Sequence, residues 1–360
     1  MSYKAIDGGI LILEDALEKL KDIDAIIFDC DGTLLDVASS FQLIGKIITT
    51  IYLEQFYDVE CRIGDDYDEA FQLLKMLGGF NNVRRVISIL LQAIFIHLEN
   101  TRPRKTSIQQ INLKHYLGEI GGGASRPASI EEALKWIISE LEDLLGSYLT
   151  MRDVELMIES KAKKMNKLDD LLALRNLIGP LFPYGSGILT TLFSEIWLGA
   201  EGVKAKYGVK PRFYDGSGLI EYERLLVRES VLRELKTIAP KGLAILSGRG
   251  MWETSKLLGD LLHYFDTDAS VFVGDRSISI EKPNPEGLIA CCRKLGARRI
   301  VYVGDGGEDF FLTREASKRG LQAYLAGLLT NRYSYTFFTK LKAEAILENV
   351  NLLPKLFKRL

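Results

Sequence analysis

The sequence predicts an α/β protein built on a doubly wound parallel sheet and interrupted by an enlarged, all-helical insertion. Three observations predict it. Short apolar, β-branched runs end in clusters of acid, serine and glycine, and helical patterns separate those runs late in the chain. Between the first run and the second, about two hundred residues carry almost no strand signal, too long a stretch to be a structureless loop.

The first run is Ile23 to Phe28, read as a buried parallel strand opening at its carboxyl end into Asp29-Cys30-Asp31-Gly32-Thr33. The pattern recurs at Leu243 to Leu246, which ends in Ser247-Gly248-Arg249-Gly250, and at Val271 to Val273, which ends in Gly274-Asp275-Arg276. It returns at Ile300 to Val303, ending in Gly304-Asp305-Gly306-Gly307, and Leu321 to Leu325 is the fifth predicted strand. Helical spacing separates them over Trp252 to Leu262, Pro285 to Leu295 and Glu308 to Lys318. In such sheets ligands collect at the carboxyl ends of the strands, where the acids, the serine and the glycines stand.

The insertion shows helical periodicity over Phe41 to Tyr57, Asp68 to Leu77, Val83 to Leu98, Ile130 to Leu149, Val154 to Leu177, Thr190 to Leu198 and Tyr222 to Ile238. Ser129 with Glu132 reads as a capping box before the fourth of these. Residues 1–36 and 240–360 are thus expected to form one core domain, and residues 37–239 a helical second domain. Asn100 to Ser129, with its proline, basic and glycine clusters, is expected to be the most flexible piece.

Composition narrows the class. Basic and acidic residues number 46 and 48, so no global field draws nucleic acid or an anionic membrane. Four cysteines without a CxxC pair make neither a disulfide framework nor a zinc or thioredoxin site, and a reducing cytoplasm is the expected compartment. The acidic N-terminus lacks the pattern of a signal peptide. The longest apolar run, Val86 to Leu98, is too short to span a bilayer and reads as a buried helix.

The chemistry lies at the strand ends. Asp29 and Asp31, two residues apart, project to one side if the chain stays extended. One carboxylate can attack phosphorus while the other serves the proton of the leaving group and then of water. Gly32 permits a sharp turn, and Thr33, Ser247 and Gly248 offer hydroxyl or backbone donors to phosphate. Lys282, ahead of a helix opened by Pro285, can reach a phosphate or neutralise acids, and Asp305 and Asp309 add the oxygen donors that magnesium requires.

This ordered set resembles the haloacid dehalogenase-like hydrolase superfamily. The resemblance is carried by Asp29 to Thr33, Ile245 to Arg249, Lys282-Pro283-Asn284-Pro285, and Gly304 through Asp309. The helical insertion after the first motif resembles the C1 cap of the phosphoglycolate phosphatase-like subfamily, at roughly double the common length. The resemblance implies a Rossmann-like core and a magnesium-dependent phosphatase forming an aspartyl-phosphate on Asp29, with Asp31 as acid and base. It implies phosphate contacts by Ser247 and Lys282. It also implies magnesium on Asp29, the main-chain carbonyl of Asp31, and Asp305, with Asp309 as either an acid behind the ligands or an alternate ligand. The expected partner is a small phosphorylated metabolite, with neither nucleic acid nor membrane. Two alternatives stand: a phosphomutase on the same scaffold, and a non-catalytic phosphate-binding or phosphoacceptor protein.

Other residues carry two readings each. Asp275 is a catalytic acid or a loop acid paired with Arg276, and Arg249 a phosphate contact or a solvated surface residue. Arg84 and Arg85 are expected on an exposed first helical turn, with reach into the cleft as the second reading. Arg102 to Lys105 reads as a solvated loop, His97 as a core or interface residue, and Cys30 as packing.

Overall fold

The computed structural model describes residues 2–61, 63–99, 101, 103–105, 107–122, 127–275 and 280–359. Its strands are β1 (Tyr3–Asp7), β2 (Ile10–Leu13), β3 (Ala25–Phe28), β4 (Leu35–Asp36), β5 (Arg224–Leu225), β6 (Leu243–Ser247), β7 (Val271–Phe272), β8 (Arg299–Gly304), β9 (Gln322–Leu328) and β10 (Ala345–Leu347). Eight of them form one sheet in the order β1-β2-β10-β9-β8-β3-β6-β7. From β10 to β7 every pairing is parallel. The fold is the predicted α/β class.

Strand β3 sits between β8 and β6, with Ile26 opposite both Val301 and Leu243. Helices cover both faces, so β3 has no solvated side and all four of its residues are buried. Ala25 and Ile27 pack into the core on one face, Ile26 and Phe28 into the core on the other. The core on the Ala25 face continues into the helical insertion.

Three strands of this sheet went unpredicted. β1 and β2 form an N-terminal hairpin whose second strand adds antiparallel to β10, so one edge of the sheet is mixed. Ile10 to Leu13 is an apolar run of only four residues, and β10 has three, lengths at which periodicity cannot separate strand from loop.

The chain leaves the sheet after Phe28, and its outgoing and returning stretches pair in the ribbon β4–β5, where Leu35 is opposite Leu225. Several of the helices between differ in their bounds from what periodicity suggests; Ile188–Tyr207, for one, is longer than the predicted Thr190 to Leu198. The Val154 to Leu177 pattern divides into Met151–Lys164 and Leu168–Ile178, separated at Asn166, whose φ of 55° is left-handed. The Ser129 capping box does not form. That helix, Ala128–Glu142, begins directly after Pro127, which places Ser129 inside the first turn. A capping box does form at Thr150 and Asp153. Within the segment expected to be most flexible, Leu113–Gly122 is helical, with Leu113 and Tyr116 buried. Arg102 and residues 123–126 lie outside the described residues. Among the described residues no helix is long and apolar enough to cross a membrane.

Helix Ile188–Tyr207 breaks its geometry at Gly199, with φ 69° and ψ 176°. Glycine alone adopts that region readily, and a methyl group there would overlap the backbone of Gly218. Gly199→Ala is therefore expected to destabilise the protein by about 2 kcal/mol or more, read as a lowered urea midpoint. An unchanged midpoint would contradict the argument.

Candidate active site

At the carboxyl edge of the sheet the strand ends converge on a cavity of about 500 Å³, walled on its other side by the helical insertion. Asp29, Asp31, Gly32, Thr33, Gly248 and Asp305 line it. Ser247, Lys282 and Asp309 stand behind that lining, nearly or fully buried.

Asp29 follows β3 directly and is held there by its N–H, which donates to the Val303 carbonyl at 2.8 Å. Lys282 Nζ lies 2.8 Å from Asp29 Oδ2 and 2.7 Å from Asp309 Oδ1, and it donates to the Tyr302 hydroxyl at 3.3 Å. Burial by itself would favour loss of the lysine proton. The Asp29 and Asp309 carboxylates outweigh that and hold it well above the ordinary lysine range. Burial pushes Asp29 well above the usual carboxylate range, with Lys282 pulling against it and Asp309 adding to it.

Asp309 lies in helix Gly307–Lys318 and also accepts from the Gly306 N–H at 3.0 Å, an N-terminal cap that fixes its rotamer. Asp305 directly follows β8, and the Thr330 hydroxyl donates to it at 2.9 Å. Burial, then Asp309, pushes Asp305 up to about 7.

Oxygens of Asp29, Asp305 and Asp309 lie within 4.8 Å of one another. Three acids share the one ammonium of Lys282, and this close set of oxygen donors suits a hard divalent cation. Gly32, at φ 70°, keeps the approach open, because a methyl group there would overlap the Asp305 carboxylate. The Asp31 carboxylate is outside this group.

Asp31 instead pairs with the Arg249 guanidinium. Arg249 is only 2% exposed, so it is no solvated surface residue. Its second partner is Glu223 at 2.7 Å, and its guanidinium lies over the rings of Trp197 and Phe41 at 5.1 and 5.4 Å. The main-chain N–H of Arg249 donates to Ser247 Oγ at 3.1 Å, which occupies the serine in the turn. Thr33 Oγ1 is buried without a hydrogen-bond partner. Cys30 packs in the core.

The insertion touches the sheet side at several polar points, of which Lys75 and Asn81 were missed from sequence while Arg84 and Arg85 follow their second reading. Lys75 reaches Glu308 at 2.9 Å, and Arg85 reaches Glu281 at 2.7 Å. Asn81 lies beside Gly248 and donates to Glu281 at 3.4 Å. Arg84 lines the cavity. The expectation of an exposed first turn fails for both arginines, because the Gly-Phe-Asn-Asn turn before them folds against the core. Lys75 and Glu223 carry no local signal, since their partners are more than twenty residues away. His97 is partly buried against Trp136, its ring 5.3 Å away. The Asp275 side chain and Arg276 are outside what the structure describes, so their expected pairing is too.

No family model matches the chain. The imidazoleglycerol-phosphate dehydratase of Phytophthora nicotianae is 34% identical over 115 residues, which are 31% of this chain and 24% of that protein. The chain thus spans about a quarter of the length of the curated relative it matches. Among solved structures, a phosphatase from Thermococcus thioreducens is 16% identical with a TM-score of 0.47, covering 92% of this chain and 97% of its own. A HAD-superfamily hydrolase of subfamily IA, variant 1, from Geobacter sulfurreducens is 16% identical with a TM-score of 0.39, covering 93% and 96%.

Replacing Lys282 by methionine keeps the volume and leaves two buried acids without their cation. The expected loss is on the order of 3 kcal/mol, measured by chemical denaturation in metal-free buffer. A loss below about 1 kcal/mol would mean that the ion pairs contribute little.

Proposed function

We propose that this chain is a magnesium-dependent phosphatase of the haloacid dehalogenase-like type, hydrolysing a small phosphate monoester through an aspartyl-phosphate on Asp29. The observation that carries the reading is one carboxylate in three settings at once. Asp29 ends the central strand, opens on the cavity, and shares its surroundings with Lys282, Asp305 and Asp309.

An Asp29 oxygen attacks phosphorus in line with the ester oxygen, the P–O bond to the alcohol breaks, and Asp31 gives that oxygen its proton. Asp31, now a carboxylate, takes a proton from the water that attacks the aspartyl-phosphate, and inorganic phosphate leaves. Arg249 pairs with Asp31 and holds its carboxyl group at the cavity wall, beside the reacting oxygens. Lys282 fixes the attacking carboxylate, and its charge offsets that of the phosphoryl group. Thr33, with its free hydroxyl, and Gly248 bind phosphate oxygens. Ser247 acts from behind, shaping the turn that presents Gly248 and Arg249.

Asp29, Asp305 and Asp309 would hold the magnesium, with the Asp31 main-chain carbonyl as the fourth protein ligand. When bound, magnesium neutralises charge on the phosphoryl oxygens. Residues 37–239 serve as the cap. Its contacts through Lys75, Asn81 and Arg85 close the cavity around a small metabolite and keep bulk water from the acyl phosphate.

Asp29→Asn is expected to lower magnesium-dependent release of phosphate from an aryl phosphate by at least about a thousandfold, with the fold confirmed by circular dichroism. Retained wild-type turnover would overturn the assignment. Magnesium is also expected to raise the melting temperature of the wild type and to do so much less for Asp305→Asn. Equal shifts in the two proteins would remove Asp305 from the metal site.

A further inference from the structure

Four cations line the cavity: Lys75, Arg84, Lys206 and Arg249. Three are already neutralised by carboxylates, Lys75 by Glu308, Lys206 by Glu253, and Arg249 by Asp31 and Glu223. Arg84 is the exception. Among the described residues no carboxylate oxygen lies within ion-pair distance of it.

Its surroundings make that exception costly. The Arg84 guanidinium lies 4.6 Å from the Phe193 ring centroid, and its one side-chain hydrogen bond goes to the neutral Ser194 hydroxyl at 3.1 Å. Nε is buried with no acceptor at all. Burial lowers the guanidinium's hold on its proton, with Tyr207, Glu253 and Glu281 near enough to oppose this but not to pair. A guanidinium is a five-donor fork suited to carboxylate and phosphate oxygens. Its neighbour Arg85 shows the ordinary outcome for this turn, pairing with Glu281. Arg84 is instead partly sunk in an aromatic wall, on the insertion side of a cavity whose opposite side holds the reacting carboxylates.

We infer that Arg84 binds a second anionic group on the substrate, so that the phosphate ester turned over here also carries a carboxylate or another phosphate. The phosphoryl group goes to the Asp29 end and the second anion to the insertion, where Arg84 supplies the donors that the protein leaves unused. Arg84 is thus a specificity-determining residue. It acts on the binding of the ester's far end rather than on the bond that breaks. The inference rests on the phosphatase reading above, and the cavity of about 500 Å³ limits the ester to a small one.

The test compares three alkyl phosphates of equal chain length, ending in a carboxylate, a second phosphate or a neutral hydroxyl, with an aryl phosphate as the control for phosphatase activity itself. In the wild type, kcat/KM for at least one of the doubly anionic esters should exceed that for the neutral twin by about tenfold or more. Which one leads tells carboxylate from phosphate. Arg84→Ala should shrink that ratio to near one, chiefly through KM for the anionic ester, and Arg84→Lys should restore only part of it. A wild-type ratio near one overturns the inference, and it needs no variant, so misfolding of Arg84→Ala cannot hide it. A high ratio that survives in Arg84→Ala or Arg84→Gln overturns it as well. If the wild type hydrolyses neither the aryl phosphate nor any alkyl phosphate, the phosphatase reading fails first. The second-anion site is then judged by whether malonate raises the melting temperature of the wild type but not of Arg84→Ala.

Discussion

Lys282 has almost no access to water and is held between two carboxylates, Asp29 at 2.8 Å and Asp309 at 2.7 Å. The rest of the site depends on this arrangement. A buried ammonium survives only where acids surround it, and buried acids survive only with cations, so each of the three groups is the condition for the other two. The sheet makes the meeting possible. Asp29 ends the central strand, Asp309 opens the helix after the neighbouring strand, and Lys282 comes from the loop that precedes a crossover helix. Because Asp305 adds a further acid, the cluster holds more acids than cations, which is the basis for expecting a divalent cation beside it.

The same logic governs the seam between the sheet and the insertion. Lys75 meets Glu308 in the first turn of the helix after β8, Arg85 and Asn81 meet Glu281 in the loop before Lys282, and Arg249 answers Glu223 on the returning chain. These partly or wholly buried pairs hold little net stability once desolvation is counted. Their value lies in orientation. They set the insertion over the cavity in one register and, among the described residues, leave a single lining cation, Arg84, without a carboxylate partner.

Much of this was legible along the chain. The runs Ala25 to Phe28, Leu243 to Leu246 and Ile300 to Val303 are buried throughout, so each carries no charged residue and stops visibly at the polar residues that follow. The hairpin β1–β2 and strand β10 were not legible, because strands of three to five residues hold too few positions for a period to show. Helix ends were misplaced at Ser129 and Asn166 for a related reason. A proline one turn away and a single left-handed residue decide those ends, and apolar spacing runs through both.

What the sequence determined by itself is the order of chemistry along the sheet. Parallel strands bring their carboxyl ends to one edge, so Asp29, Asp31, Ser247, Asp305 and the nearby Lys282 and Asp309 were bound to gather there once the strands were recognised. What only the tertiary structure decided is how those charges are shared out. Arg249 closes on Asp31 and Glu223, Ser247 withdraws into a turn, and Arg84 is left facing the cavity without an acid. The physical reason is that ion pairing depends on distance and burial between side chains remote in the chain, 218 positions apart for Arg249 and Asp31, and no local pattern records which partners they find.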